Sequence, residues 1–150
     1  GLREKQHTLG WPCTLFTVDM APANLPRDVF VRFFDALEPA FSHQVSIGQN
    51  NTIILCPALT SHSELSSDEQ KKAGIELTTM RIAMGTDNVK QLIAHFMLAA
   101  KHFIEPHVPG FCEKFMANAD IDNLYLSVSE RVSSQHFGSK ASMDSLMKGA

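Results

Sequence analysis

Arg81 stands inside an apolar run, between Met80 and Ile82. A guanidinium so placed has two readings. It lies at a sheet edge or pairs with an acid, or its planar fork holds a carboxylate through two parallel charge-assisted hydrogen bonds. Residue type alone leaves both open. The other reactive groups are less pointed. Seven histidines, at 7, 43, 62, 95, 102, 107 and 136, include no H-E-x-x-H pair, so no metal site is expected. Cys13, Cys56 and Cys112 are widely spaced and form no C-x-x-C pair, which argues against a disulfide framework or a thiolate zinc site and fits a reducing cytoplasm. No G-x-S-x-G elbow, P-loop or G-x-G-x-x-G occurs, so hydrolase and nucleotide-binding classes have no support.

The elements that must position these groups follow from periodicity. Residues 13–20 read as a strand. After Pro26, Phe30, Phe33, Phe34 and Leu37 fall at i, i+3, i+4 and i+7, the stripe of an amphipathic helix that stops near Pro39. Residues 43–47 and 52–56 read as short extended pieces around the turn-prone Gly48-Gln49-Asn50-Asn51. Ser66 and Glu69 have capping-box spacing, and Gly74 lies where the resulting helix, near 67–73, would stop. Leu77–Met84 reads as a strand. Gly85-Thr86-Asp87 then turns into a helix over about 87–103 with a hydroxyl or carboxylate cap, its face of Val89, Leu92, Ile93, Phe96 and Ala100 packing on the sheet. His95 and His102 fit a solvated or partly buried helix face. This order predicts an α+β fold, a small mostly antiparallel sheet packed by helices. The pattern weakens after Glu105, so 1–105 is expected to be the domain and 106–150 an appendage.

Bulk properties limit the partners. The 150 residues are 44% hydrophobic and 19% charged with a formal charge of −3, a globular balance with no basic field for nucleic acid or an anionic membrane. Neither a signal peptide nor a membrane span is expected.

Residues 44–96 resemble the C-terminal region of the Cys/Met-metabolism PLP-dependent enzymes, the group of cystathionine γ-synthase, cystathionine γ-lyase, methionine γ-lyase and O-acetylhomoserine sulfhydrylase. The family's Ser-Leu-Gly, Pro-Ala and Thr-His stand here, without a gap, as Ser46-Ile47-Gly48, Cys56-Pro57-Ala58 and Ser61-His62. The likeness continues through Asp68-Glu69 and Ala73-Gly74-Ile75 to Met80-Arg81-Ile82-Ala83-Met84-Gly85, similar to the family's Val-Arg-Leu-Ser-Val-Gly. Each motif is common, but their order and spacing together are specific. The resemblance implies the small domain of a fold-type I PLP enzyme. It makes Arg81 the anchor of the amino-acid substrate's α-carboxylate and brings Ser46 and Ser61 into substrate binding, although local backbone bonding explains Ser46 equally well. It also implies pyridoxal phosphate as cofactor, held by a large preceding domain, and a homo-oligomer for the full protein.

Several departures from the family pattern lie beside that proposed site. Gln49 replaces a second glycine, Asn51 an acid, Ala83 a serine and Gln70 an arginine. No lysine sits in the family's Ser-x-Thr-Lys setting, so the chain is expected to be an inactive fragment of a longer PLP-dependent lyase or γ-replacement enzyme of sulfur amino-acid metabolism. Two alternatives stand beside this: a divergent non-catalytic module that keeps the fold for dimerisation or partner binding, and an amino-acid sensor without chemistry.

Overall fold

The computed structural model describes residues 14–137. The described chain divides into two units, one running to Lys114 and the other starting at Phe115. In the first, strand β1 (Leu15–Asp19) is followed by helix α1 (Arg27–Asp35) and strands β2 (Ser42–His43) and β3 (Ile53–Leu55). Helix α2 (Ser67–Lys72), strand β4 (Thr79–Ala83) and helix α3 (Val89–Phe103) complete it. The strands form one sheet in the order β1-β4-β3-β2. β4 pairs antiparallel with both β1 and β3, while β2 joins β3 in parallel. The architecture is the expected α+β one, its sheet mostly antiparallel with one parallel edge.

Register assigns the faces. Phe16, Ile82, Ile54 and His43 lie opposite one another across the four strands, and Thr17, Arg81 and Leu55 share the other face. The Phe34 ring stacks on His43, with centroids 4.3 Å apart, so α1 covers the first face. Arg81 therefore emerges on the face away from α1. All three residues of β3 are buried, as suits a strand covered on both sides.

The Phe30, Phe33, Phe34 and Leu37 stripe is buried as its spacing requires. Phe33 meets Phe96 edge to face at 5.2 Å, and His95 Nε2 lies 2.9 Å from the Ala36 carbonyl oxygen. The apolar face of α3 thus packs on α1. Val89 is the exception and stays largely exposed. The capping box at α2 forms as the S-x-x-E spacing predicts: Ser66 Oγ accepts from Glu69 N–H, and the Glu69 carboxylate accepts from Ser66 N–H at 2.9 Å.

Three local expectations change. Residues 44–47 do not continue β2, because the Val45 and Ser46 carbonyls turn toward Arg81 instead of β3. The cap of α3 is Asn88, whose Oδ1 accepts from Lys90 and Gln91 N–H. Thr86 and Asp87, the expected hydroxyl and carboxylate, are engaged elsewhere. In the second unit, helix α4 (Asn118–Phe137) forms where the sequence shows no long period, and Leu124, Tyr125 and Leu126 on it are exposed. Between α3 and α4, Glu105 clasps the following loop: its carboxylate accepts from Gly110 and Cys112 N–H, each at 2.7 Å. Those two donors hold its pKa below the ordinary carboxylate value. Among the described residues no helix is long and apolar enough to cross a membrane.

Candidate functional site

The site is built around the loop that leaves β2. Arg81 projects from β4, and its arm crosses the end of β3, where Leu55 is its register partner. Its Nη2 donates to the Val45 carbonyl at 2.7 Å and to the Ser46 carbonyl at 3.2 Å. A guanidinium carries five N–H groups. Among the described residues no acceptor meets those on Nε and Nη1, so one amino group docks on the loop and the rest of the fork is left over.

The structure brings two of the three sequence-selected residues together. Ser46 meets Arg81 through its backbone carbonyl, not its hydroxyl. Ser61 has a different neighbour. It lies in the turn after Pro57–Leu59, and its Oγ shares a hydrogen bond with His62 Nδ1 at 2.9 Å. Val45, whose carbonyl Arg81 holds, also lines a cavity of about 280 Å³ together with Phe34, His43, Leu55 and Thr60. The buried Nε2 of His43 has no hydrogen-bond partner among the described residues.

The far end of the loop is held by groups that periodicity did not single out. Thr52 is fully buried. Its N–H donates to Asp87 Oδ2, its Oγ1 accepts from Gly85 N–H at 3.1 Å, and its carbonyl accepts from Ser42 N–H at 3.0 Å. The Thr52 donors lower the Asp87 pKa. Thr86 directs both its N–H and its hydroxyl at the Asn50 carbonyl, at 2.6 and 3.0 Å. Gly85 packs so closely that a Cβ there would sit 2.3 Å from the Asn50 carbonyl oxygen. The departures from the family pattern find local uses. Asn51 Nδ2 donates to Ser42 Oγ at 2.6 Å, and Gln70 Nε2 donates to the His62 carbonyl at 2.8 Å. Gln49 has no positive φ, whereas Gly48 does at 78°, so the second glycine is not needed for backbone reasons.

The sequence model of the Cys/Met metabolism PLP-dependent enzymes matches residues 15–101, which include every strand of the sheet. The chain belongs to that family. Within this Cys/Met-metabolism family it is similar to O-acetyl-L-homoserine sulfhydrylase 1 of Thermus thermophilus, 36% identical over 63 residues, or 42% of this chain and 15% of that protein. It is also similar to the O-succinylhomoserine sulfhydrylase of Pseudomonas aeruginosa, 37% identical over 68 residues, 45% of this chain and 17% of that one. Homocysteine synthase of Schizosaccharomyces pombe is 33% identical over 58 residues, covering 39% and 14% respectively. The chain thus spans between 14% and 17% of the length of these curated relatives. Among solved structures, a Campylobacter jejuni protein described as an O-acetylhomoserine (thiol)-lyase, with a pyridoxyl-lysine phosphate, aligns at TM-score 0.49 and 30% identity over 58% of this chain and 20% of its own.

Pyridoxal phosphate, the family's cofactor, does not fit the described residues as a site of their own. A cofactor-bearing lysine is activated by desolvation in an apolar pocket or by a neighbouring cationic group. Lys71, Lys72, Lys90, Lys101 and Lys114 are all exposed. Lys5, Lys140 and Lys148 lie outside the described residues.

Proposed function

We propose that this chain is the small domain of a PLP-dependent lyase or γ-replacement enzyme acting on a sulfur-containing amino acid or an activated homoserine, and that Arg81 anchors the substrate's α-carboxylate. The observation that carries the reading is the posture of Arg81. It stands on an interior strand, away from the helix-covered face, with Nη2 engaged by loop carbonyls and its other donors free of acceptors among the described residues. A carboxylate meeting that remainder of the fork gains charge-assisted hydrogen bonds that a point charge cannot match. Ser46 and Ser61 belong to the same substrate surface in this reading, and residues 106–150 are an appendage to it. The lysine and phosphate site lie in a large domain of the same polypeptide, and the isolated chain is inactive. The working form is a homo-oligomer.

The chain's own contribution is binding and orientation. Holding the carboxylate at a fixed point sets which substrate bonds face the cofactor, and this removes orientational freedom before the reaction. The test is spectroscopic. The whole polypeptide, purified with added pyridoxal phosphate and desalted, is expected to retain visible absorbance, and this chain alone to retain none. A whole polypeptide that stays colourless and inactive overturns the proposal. It would favour the second reading, a non-catalytic module kept for dimerisation or partner binding, which the substitutions Gln49, Asn51 and Ala83 beside the loop and strand support.

A further inference from the structure

We propose that Asp87 is a positioning residue: by fixing Thr52 at the base of the 44–51 loop, it sets where Ser46 stands against Arg81. On the reading of Arg81 given above, it thereby sets the geometry in which the guanidinium receives a carboxylate. The loop does not hold itself in place. Apart from its ends it has no regular structure, Val45 and Ile47 are 63% and 58% exposed, and Gly48 adds backbone freedom at φ 78°. It is fastened at two points instead. Arg81 holds the Val45 and Ser46 carbonyls, and residues 85–87 hold residues 50–52. Both fastenings come from one stretch, β4 and its exit turn, and both hold the same short loop, so release of the second frees the segment that the first must keep in place.

Within the second fastening, Asp87 is the only charged group. Its carboxylate accepts from the N–H of a fully buried residue. A helix's free N–H groups are served by the side chain of its cap residue, which accepts from the second or third helical N–H. Here Asn88 does that, and Asp87 is turned to the loop. The side chain itself is exposed, so truncating it hollows no core.

Hydrogen exchange of this chain and steady-state kinetics of the whole enzyme test the proposal with Asp87→Ala and Asp87→Asn. In the Ala variant, exchange of the amides that fasten the loop, those of Thr52, Gly85 and Thr86, is expected to rise by roughly tenfold or more, the scale of one lost charge-assisted hydrogen bond, with α1 and α3 unchanged. Asn keeps an acceptor oxygen and is expected to restore most of the protection. In the enzyme, Ala is expected to raise KM for the amino-acid substrate by roughly tenfold while kcat stays within about threefold, the split that marks lost substrate binding. Unchanged loop exchange overturns the proposal, and so does a rise that spreads through α1 and α3. Raised loop exchange with unchanged KM overturns the substrate role and leaves Asp87 a fold residue. A wild-type enzyme that neither binds pyridoxal phosphate nor turns over defeats the proposed function itself, and that result is read without any Asp87 variant.

Discussion

Replacing Gly85 by alanine adds one methyl group where the exit turn of β4 is pressed against the backbone of Asn50 and Asn51. The new Cβ would lie 2.3 Å from the Asn50 carbonyl oxygen, 2.4 Å from the Asn51 carbonyl carbon and 2.7 Å from its oxygen. All three are backbone atoms, so no side-chain rotation relieves the overlap. Either β4 or the 50–52 segment must move, and forced overpacking of this kind costs about 1–3 kcal/mol. The same movement strains the Gly85 N–H bond to Thr52 Oγ1, and Thr52 is fully buried, so an unmade bond there adds about 1–3 kcal/mol. A total loss of about 3 kcal/mol is expected, a large share of the roughly 5–15 kcal/mol that stabilises a domain. Gly74→Ala is the control. Gly74 has φ 71° with open space around it, so only the left-handed backbone penalty of about 1–2 kcal/mol applies. Urea denaturation followed by circular dichroism measures both. A Gly85→Ala variant no less stable than Gly74→Ala, or within about 0.5 kcal/mol of wild type, would refute the claim that this contact fastens the loop.

Other outcomes follow from the same geometry. Arg81→Ala in the whole enzyme is expected to lower kcat/KM by ~30-fold to ~1000-fold, about 2–4 kcal/mol, while leaving pyridoxal phosphate absorbance nearly intact; Lys should recover little, and full recovery by Lys would count against a forked contact. Phe33→Ala removes a side chain with no exposure and its edge contact to Phe96, so urea melts should show a loss of about 3–5 kcal/mol. Glu105 has its pKa lowered by folding, so its contribution is present above the unfolded carboxylate's titration range and is lost as pH falls through the lower folded value. Glu105→Gln should therefore flatten the acid side of the stability profile measured by urea melts at successive pH values, and a profile parallel to wild type would contradict the clasp. Cys56 is buried and its thiol pKa is raised, so it should resist a thiol reagent in the native chain and react only on denaturation.

Sequence legibility tracked how local each determinant is. The Phe30, Phe33, Phe34 and Leu37 stripe and the Ser66–Glu69 box are complete within a few residues, and both formed as their spacing implies. Arg81 was conspicuous because a charge in an apolar strand needs a reason. Its actual partners, carbonyls roughly 35 residues earlier, leave no trace in side-chain identity. The same holds for 44–47, where the extended residues are right for a strand but the carbonyls are taken by an arginine. Thr86 and Asp87 have cap chemistry, yet the buried N–H of Thr52 and the Asn50 carbonyl compete for them, and the cap passes to Asn88. In α4 the weak period hid a helix because its apolar residues are spread around it, with three consecutive ones exposed.

The strand order also has a temporal meaning. Among the described residues β1 is the first strand and its partner β4 the last, Leu15 lying against Ala83 and Asp19 against Thr79, so roughly 60 residues must be made before any rung of that ladder can close. At synthesis rates of about 5–20 residues per second, β1 waits for several seconds with its ladder groups unpaired. It carries Leu15, Phe16 and Val18 through that interval, an apolar edge of the kind that other chains can pair with. Helix α1 and the β2–β3 pair can form meanwhile, so the sheet is built from its β2 edge across to its oldest strand. Slowing elongation between Asp19 and Thr79 therefore lengthens the period of greatest aggregation risk.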